Sequence, residues 1–324
     1  MAVYTQLSTE VLADLIAEYD VGELVSAKGI AEGVSNSNWL VETTGSERNG
    51  RRFILTMYER RIDIAELPFF LDLLDHLAAN GCPVPRTIHD RSGASSRMLQ
   101  GKAVALIEFL PGVSVGHPTP PQARSVGRVL AEMHATAQNF AGSRANDLGP
   151  HVSARVLREC GERNLAGIDP ALPAILPVAQ QVAENWPDGL PQSIIHSDLF
   201  PDNVLMLGNT VSALIDFYFA CNDAMAYDLA VTHAAWSFSG DGRDYLPEVG
   251  EALLDGYESV RTLSPSERAA LPLLAQGAAL RFISSRAQDW IDTPPDALVT
   301  KKDPMDFVRR LDFYRREGKV VFSA

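Results

Sequence analysis

The sequence predicts an α+β protein with two lobes, in which a small antiparallel sheet lobe with one helix is followed by a larger, mainly helical lobe. Three observations lead to this fold class. The 324 residues exceed what one typical core supports. Short β-rich segments are concentrated in the first third of the chain, and helical periodicity dominates the rest. We expect the lobes to comprise residues 1–110 and 111–324.

The sheet lobe is predicted from short segments rich in β-forming residues, separated by clusters of turn-forming residues. This spacing is typical of an antiparallel meander. A short amphipathic helix precedes the meander, and a longer helix that ends at Gly81 follows it. The predicted elements are a helix at 8–19, strands at 22–30, 38–44 and 51–59, a helix at 66–81 and a strand at 102–112.

The C-terminal lobe is predicted from apolar stripes at helical spacing, such as Val126, Leu130 and Met133 in the segment 120–140. One β-like island, residues 192–220, interrupts these helices and contains most of the polar residues considered below. Further helices are predicted at 173–186, 225–238, 245–260, 266–290 and 304–316.

Charge and composition exclude several classes of protein. The net charge of −13 would repel a nucleic-acid backbone. The odd, scattered cysteines Cys82, Cys160 and Cys221 contain no C-x-x-C pair, which favours reduced thiols and a cytoplasmic protein. The N-terminal sequence lacks a signal-peptide pattern, and no window of about 18 residues is free of charge, so we expect no membrane partner.

The stretch "IIHSDLFPDNVL" places polar residues between two buried strands. His196, Asp198 and Asn203 follow the spacing H-x-D-x-x-x-x-N, and Asp216 closes the apolar segment "ALIDF" thirteen residues later. Phosphoryl transfer from ATP needs a carboxylate that orients and deprotonates the accepting hydroxyl, and hard oxygen ligands that hold Mg²⁺. A carboxylate bound to a metal is a poor base, so two acids and an amide can separate the two roles.

A solvated turn is the alternative interpretation of these residues. An isolated H-x-D or D-x-x-x-x-N match is usually only a polar turn. The combination with "LIDF" between apolar strands is much more specific, and it favours a catalytic loop.

The stretches "IIHSDLFPDNVL" and "ALIDFYFA" resemble the catalytic segment of the aminoglycoside phosphotransferase and choline kinase superfamily, whose members have a bilobal protein-kinase-like fold. The resemblance extends over nearly the whole chain. Within the superfamily, "GVSNSNWLVET", "RRFILTMYERR", "ELPFFLDLLDHL" and "KDPMDF" are most similar to the bacterial homoserine kinases. This resemblance implies that the substrates are L-homoserine and ATP and that the product is O-phospho-L-homoserine for threonine synthesis. It also implies that Mg²⁺ is required.

The resemblance also implies roles for the polar residues of the loop. Asp198 would be the catalytic carboxylate, and His196 would hold the loop by hydrogen bonds. Asp216 would be the main Mg²⁺ ligand, and Asn203 would bind or position a metal ion. Asp228 would support the loop from the start of a helix, although a simple charge at a helix N-terminus is an equally good interpretation.

In the first lobe, the resemblance places the phosphates under the turn at 32–38 and adenine at the strand that links the lobes. An ordinary hairpin turn is the alternative for the first segment, since G-x-G-x-x-G is absent. The nucleotide-binding residues implied in these two segments are Gly33, Ser35, Asn36, Ser37, Glu108 and Leu110.

The third strand departs from the usual kinase pattern, because Thr56 stands where a lysine would contact the α- and β-phosphates and pair with a helix glutamate, here Glu66. We consider three explanations. A nearby cation substitutes, the metal ions compensate the charge alone, or the protein only binds nucleotide. The candidate cations are Lys28, Arg52 and Arg60.

An amino-acid substrate needs an anion for its ammonium group and a cation for its carboxylate. Arginine suits the carboxylate because its guanidinium binds in a bidentate manner. Surface pairing of the arginines with Asp289 and Asp292 is the alternative. A kinase of choline, an aminoglycoside or a methylthio sugar also stays open. The candidate substrate-binding residues are Tyr218, Asn222, Asp223, Arg281 and Arg286.

Overall fold

The structure is a computed structural model, in which the chain divides into two compact units, each assembled from several segments. We call them the sheet unit (Met1–Val113, Phe140–Gly142 and Ser212–Tyr218) and the helical unit (Ser114–Asn139, Ser143–Val211 and Phe219–Ala324). The structure describes residue 5 and residues 7–30, 36–45, 52–59, 63–294 and 301–323.

The sheet unit is built on an antiparallel sheet. Its elements are α1 (Thr9–Ala17), β1 (Leu24–Ile30), β2 (Asn36–Thr43), β3 (Arg52–Tyr58), α2 (Leu67–Ala79), β4 (Thr87–Ile88), β5 (Arg97–Leu99) and β6 (Lys102–Glu108). The predicted meander is confirmed, since β1 pairs with β2 and β2 with β3, both antiparallel. β6 pairs with the other edge of β3, and β4 and β5 both pair with β6.

The two faces of this sheet are covered by different helices. Leu55 and Met57 of β3 belong to a buried cluster with Leu15 of α1, whereas Tyr58 belongs to a second cluster with Leu67 of α2. Successive side chains of a strand point to opposite faces. Thr56, which alternates with Leu55 and Met57, therefore lies on the α2 face of the sheet.

The chain continues with elements that belong mainly to the helical unit. They are α3 (Pro120–Ala137), α4 (Pro150–Cys160), α5 (Glu162–Ile168), α6 (Ile175–Glu184), β7 (Gln192–Ile195), β8 (Val204–Leu207), β9 (Thr210–Leu214), β10 (Cys221–Ala224), α7 (Met225–Trp236), α8 (Pro247–Glu258), α9 (Pro265–Asp292) and α10 (Met305–Val321). The chain leaves the helical unit within β9, between Val211 and Ser212, and returns at Phe219.

Helix α7 lies at the centre of the helical unit, and all twelve of its residues are buried. It follows directly after β10, which pairs antiparallel with β7 so that Cys221 is opposite Ile195. Buried polar groups need hydrogen-bond partners, because an unpaired one costs about 1–3 kcal/mol. The polar side chains of α7 are therefore positions where the fold must supply specific contacts.

Most predicted elements are observed, with differences at their ends. The sequence analysis did not predict α4 or α5, because the buried face of α4 includes Ser153 and Ala154 and gives only a weak apolar stripe. The strand expected to end at Asp216 stops at Leu214, because Asp216 adopts a left-handed backbone conformation that a strand does not accommodate. None of the described helices combines the length and the apolar character needed to cross a bilayer.

Candidate active site

The loop that carries Asp198 begins where β7 ends and reaches β8 through a short 3₁₀ turn at Pro201–Asn203. Ser197 has φ +68°, a left-handed conformation that costs a non-glycine residue about 1–2 kcal/mol. The Asn203 side-chain amide donates to the Asp198 carbonyl oxygen at 2.8 Å and to its carboxylate at 3.3 Å. The amide nitrogen is thus directed at Asp198, which leaves the amide oxygen as a candidate ligand for a cation.

Asp228 of α7 holds the start of this loop. Its carboxylate accepts hydrogen bonds from the backbone N–H groups of His196 and Ser197, each at 2.7 Å, and it lies 3.0 Å from Nε2 of His134. Burial would raise the pKa of Asp228, but the hydrogen bond and charge of His134, together with the His196 contacts, outweigh it and lower the pKa. The buried carboxylate is therefore ionised and fixed by three donors.

The His196 side chain is fully buried. Its Nδ1 lies 3.3 Å from the backbone nitrogen of Asp198, so the ring accepts a hydrogen bond from within the loop. The Trp236 indole also donates to the Leu199 carbonyl oxygen at 2.9 Å. The ring is thus held within the loop, and the supporting role of His196 stays a prediction.

Arg281 of α9 is the cation nearest to Asp198 in the helical unit, with Nη2 at 3.5 Å from the carboxylate. The residue is only 4% exposed, and its guanidinium lies over the rings of Phe219 and Phe282 at 5.4 and 4.7 Å. Nη1 is buried and has no hydrogen-bond partner in the described part of the chain. One N–H face of a buried cation therefore remains for a ligand.

Arg286 also lies on α9 but is already engaged. Its Nη1 donates to the Asp306 carboxylate at 2.9 Å and to the Asp303 carbonyl oxygen at 2.8 Å, and its guanidinium stacks on Phe307. Burial lowers the pKa of Arg286, and Asp306 partly opposes this effect. The two arginines assigned to the substrate from the sequence thus have different surroundings.

Asn222 and Asp223 of β10 connect the strand to the segment before α4. Asn222 accepts from the backbone N–H of Arg144 at 2.8 Å, and the Asp223 carboxylate accepts from the Asn146 side chain at 2.6 Å. Their side chains therefore make structural contacts in this structure, and the assignment to substrate stays a prediction.

Asp216 belongs to the sheet unit, where it follows the end of β9 with φ +65°. Asp216 is exposed. Two residues on, the Tyr218 hydroxyl lies 2.9 Å from that of Tyr58, and the rings pack edge to face. Burial raises the pKa values of both tyrosines, and the nearby Asp216 charge raises them further. Both phenols therefore stay neutral beside this carboxylate.

Thr56, which stands where kinases usually have a lysine, lies beside the neutral phenol of Tyr218. Its hydroxyl donates to Oδ1 of Asn38 at 2.8 Å, and it also hydrogen-bonds with Tyr218. Glu66 is the N-cap residue of α2 and precedes its first turn. Of the candidate cations, Lys28 is exposed on β1, Arg52 stacks on Phe109 at 4.3 Å, and Arg60 lies outside the described residues.

The predicted phosphate turn is described only at its C-terminal end, because Gly33 and Ser35 lie outside the described residues. Asn36 is 7% exposed, and its Oδ1 accepts no hydrogen bond from the described residues. The Ser37 hydroxyl donates to Glu59 at 2.7 Å.

Glu59 is a buried acid that the sequence analysis missed. It also accepts from the Thr5 hydroxyl at 2.8 Å and forms an ion pair with Lys102. Burial would raise the pKa of Glu59, but hydrogen bonds from Lys102, Ser37 and Thr5 lower it. The Ser37 hydroxyl thus helps to hold a partly buried ion pair near the start of β2.

The predicted adenine segment lies at the end of β6. The Glu108 carboxylate accepts from the backbone and the guanidinium of Arg86, each at 3.2 Å, and the Glu108 N–H donates to the Arg86 carbonyl oxygen. Leu110 follows the strand and is half-buried. The Glu108 side chain and N–H are both occupied, which leaves its backbone carbonyl oxygen for a contact with a base.

Comparison with known proteins adds an independent observation. The phosphotransferase enzyme family matches residues 26–263. A homoserine kinase of Granulibacter bethesdensis is 47% identical over 315 residues, which cover 97% of both chains. A homoserine kinase of Caulobacter sp. strain K31 is 47% identical over 327 residues, covering 100% of this chain and 99% of its own.

Among solved structures, an amicoumacin kinase in complex with AMP-PNP and Ca²⁺ superposes with a TM-score of 0.67. The alignment covers 98% of this chain and 94% of that one at 14% identity, so it bears on the fold alone. The bilobal protein-kinase-like fold expected from the sequence is confirmed. The family match and the identity over nearly the full length of both relatives agree with the loop geometry, and the chain belongs to the phosphotransferase enzyme family and, within it, to the homoserine kinases.

Proposed function

We propose that the protein transfers the γ-phosphoryl group of ATP to the hydroxyl of L-homoserine and produces O-phospho-L-homoserine for threonine synthesis in the cytoplasm. The observation that carries this proposal is the 47% identity to homoserine kinases over essentially the whole chain. The alternatives, a kinase of another small alcohol or an inactive nucleotide-binding module, are not favoured by these relatives.

Asp198 is the proposed base. The Asn203 amide contacts its carbonyl and its carboxylate, the Arg281 guanidinium contacts its carboxylate, and the His196 ring accepts from its backbone N–H. In phosphoryl transfer, a carboxylate so placed accepts the proton of the attacking hydroxyl as the bond to phosphorus forms.

Mg²⁺ is the proposed metal, and it would neutralise charge on the β- and γ-phosphates. Mg²⁺ prefers oxygen ligands and retains several waters and phosphate oxygens, so it needs few protein ligands. The exposed Asp216 carboxylate and the amide oxygen of Asn203 are the proposed ligands. Both are hard oxygen donors, and the donor set therefore fits this ion.

Arg281 is the proposed partner of the substrate carboxylate. A buried guanidinium nitrogen without a partner loses hydration that a bound carboxylate would replace. Since Nη2 of the same group lies beside Asp198, a carboxylate held by Nη1 would place a short hydroxyl side chain within reach of the base. Tyr218, Asn222, Asp223 and Arg286 stay secondary candidates, and Asp223 has the charge required for the ammonium group.

The proposed nucleotide contacts are those assigned from the sequence. Asn36, which is 7% exposed, lies at the start of β2 within the described residues. Gly33, Ser35, Ser37, Thr56, Glu66, Glu108 and Leu110 complete the proposed set.

A direct assay tests the function. Release of ADP from Mg²⁺ATP is measured with homoserine, serine, choline and an aminoglycoside, and the phosphorylated product is identified by mass spectrometry. Serine is one methylene shorter, so it loses about 1–3 kcal/mol of contact and misplaces its hydroxyl. We expect homoserine to have the highest kcat/KM, serine a much lower one, and the others background rates. A higher kcat/KM for choline or the aminoglycoside would refute the proposal.

A further inference from the structure

Tyr227 of α7 is a fully buried tyrosine whose hydroxyl has no hydrogen-bond partner in the described part of the chain. It directly precedes Asp228, which holds the loop of Asp198. A buried donor without a partner has lost its hydration and made no hydrogen bond in return, which destabilises the folded chain. The sequence analysis did not select Tyr227, because a tyrosine in an apolar helix such as "AMAYDLAV" is usually part of the core.

One indole ring connects Tyr227 to the face of α9 that carries Arg281. The Trp186 ring packs edge to face on the Tyr227 ring, with 5.3 Å between the ring centroids. The same indole lies against the backbone of Gly277 on α9, where a Cβ atom would come within 2.3 Å of its Cζ3 atom. Gly277 and Arg281 are four residues apart and therefore lie on the same face of the helix.

The Tyr227 hydroxyl is also close to charges of opposite sign. Burial raises the pKa of Tyr227, the charge of Arg281 lowers it and the charge of Asp223 raises it, and the pKa is raised as a net result. The phenol therefore keeps its proton at neutral pH and can donate a hydrogen bond. The Asp223 carboxylate is not its acceptor. Instead, Oδ1 of Asp223 accepts from the Ala224 N–H and Oδ2 accepts from the Asn146 side chain, each at 2.6 Å.

Nη1 of Arg281 and the Tyr227 hydroxyl are thus two buried donors, neither of which meets an acceptor within the described ranges. A carboxylate has two oxygens that only accept, and its charge is opposite to that of a guanidinium, so it can satisfy both donors. We propose that Tyr227 is a specificity-determining residue, whose hydroxyl donates to the carboxylate of the amino-acid substrate while Arg281 binds the same group. The inference rests on the proposed function, because it concerns the acceptor of that reaction.

This role of Tyr227 predicts which alcohols the site rejects. The compound 3-amino-1-propanol is homoserine without its carboxylate, so it has the same amine and the same distance to the hydroxyl but leaves both donors unpaired. A site built to hydrogen-bond a substrate group strongly rejects an analogue that lacks this group. The Tyr227 hydroxyl therefore contributes to the discrimination between amino acid and amino alcohol, and does not contribute to the binding of ATP.

Tyr19 of the sheet unit provides a matched control. It is also fully buried, and its hydroxyl meets no partner among the residues that the structure describes. Asp90 and Arg97 place charges of opposite sign near it, as Asp223 and Arg281 do for Tyr227. Asp90 and Arg97, however, form an ion pair with each other. Loss of the Tyr19 hydroxyl should therefore change neither substrate binding nor turnover.

The test compares wild type with Tyr227→Phe, Tyr19→Phe, Arg281→Ala and the double variant of Tyr227→Phe and Arg281→Ala, all in the full-length protein. For each protein, kcat and KM are measured for ATP, homoserine and 3-amino-1-propanol. We expect Tyr227→Phe to lower kcat/KM for homoserine about 10- to 100-fold, because a hydrogen bond to a charged group is lost. KM for ATP and kcat/KM for 3-amino-1-propanol should change less than about twofold, and Tyr19→Phe should match wild type throughout.

The melting temperature distinguishes a binding role from a structural one. Neither tyrosine variant should melt below wild type without ligand, because phenylalanine removes a hydroxyl that has no partner to lose. Homoserine should raise the melting temperature of Tyr227→Phe less than that of wild type, because a ligand stabilises the protein in proportion to its affinity. The same ligand-induced rise in both proteins would contradict the inference.

The double variant tests whether the two side chains bind one group. If they share a carboxylate, the double variant should lose less kcat/KM for homoserine than the product of the two single losses. A loss equal to that product would refute the shared carboxylate. Equal relative losses for homoserine and 3-amino-1-propanol in Tyr227→Phe, or a kcat/KM for homoserine within about twofold of wild type, would refute the inference alone. No turnover of homoserine by wild type would refute the proposed function and this inference with it.

Discussion

Asp198 and Asp216 differ in the neighbours that the structure shows for them. In the helical unit, the loop of Asp198 is fixed by charged and strongly polar groups, including Asp228 and Arg281. In the sheet unit, the neighbours of Asp216 include the neutral phenols of Tyr58 and Tyr218. A base must be oriented before the reaction, and its loop is rigidly held. A metal ligand is oriented by the metal when the metal binds.

The largest effect on nucleotide binding and turnover should come from replacing Asp216. Asp216→Ala should abolish Mg²⁺-dependent nucleotide binding and turnover together, because the phosphate charge then lacks its main compensating site. Calorimetric titration of nucleotide at several Mg²⁺ concentrations measures this. Asn203→Ala is the matched variant and should be milder. Unchanged metal dependence in Asp216→Ala would remove this residue from the metal site.

Asp198→Asn tests whether Asp198 is the base. The amide keeps the shape of the side chain but cannot accept the hydroxyl proton, so kcat should fall about 10²–10⁴-fold while ATP affinity barely changes. A loose transition state would place the result at the lower end of this range. Stopped-flow or steady-state ADP release provides the measurement, and turnover near the wild-type value would contradict the role of base.

Replacing each of the two arginines of α9 tests which of them binds the substrate carboxylate. Arg281→Ala should raise KM for homoserine about 5- to 150-fold, which corresponds to the 1–3 kcal/mol of a lost buried contact, and should change KM for ATP much less. We expect a smaller effect on KM from Arg286→Ala, because Arg286 binds Asp306, and a larger effect on the melting temperature. Equal KM values for homoserine in wild type and Arg281→Ala would reject the assignment.

Thr56→Lys, which introduces the cation that kinases usually have at this position, should have the smallest effect on turnover. If metal ions or another cation already compensate the phosphates, turnover should change by no more than a few-fold. The new ammonium group would also displace the hydrogen bond from Thr56 to Asn38. A large gain in turnover would show that the wild-type protein lacks a phosphate-binding cation, and would revive the interpretation of a weakened kinase.

The sequence predicted the fold and the loop because both depend on local patterns. Short segments rich in β-forming residues between turn clusters identified the meander of β1, β2 and β3, and spacing suggested Asp198, Asn203 and Asp216 as a group. Helices α4 and α5 were missed because their apolar stripes are short. The contacts of His134 with Asp228, and of Glu59 with Lys102, join residues 94 and 43 positions apart. Neither separation leaves a periodic signal along the chain.

The path of the chain through β9 restricts how this protein can be cut or rearranged. Residues 212–218 belong to the sheet unit although two segments of the helical unit, Ser114–Asn139 and Ser143–Val211, precede them in sequence. A polypeptide ending at Val113 would contain Thr56 and Tyr58 but neither Asp216 nor Tyr218, so the buried hydroxyl of Tyr58 would lose its partner. Two separately expressed halves would therefore reconstitute the enzyme only if the second half inserted this heptapeptide into the first.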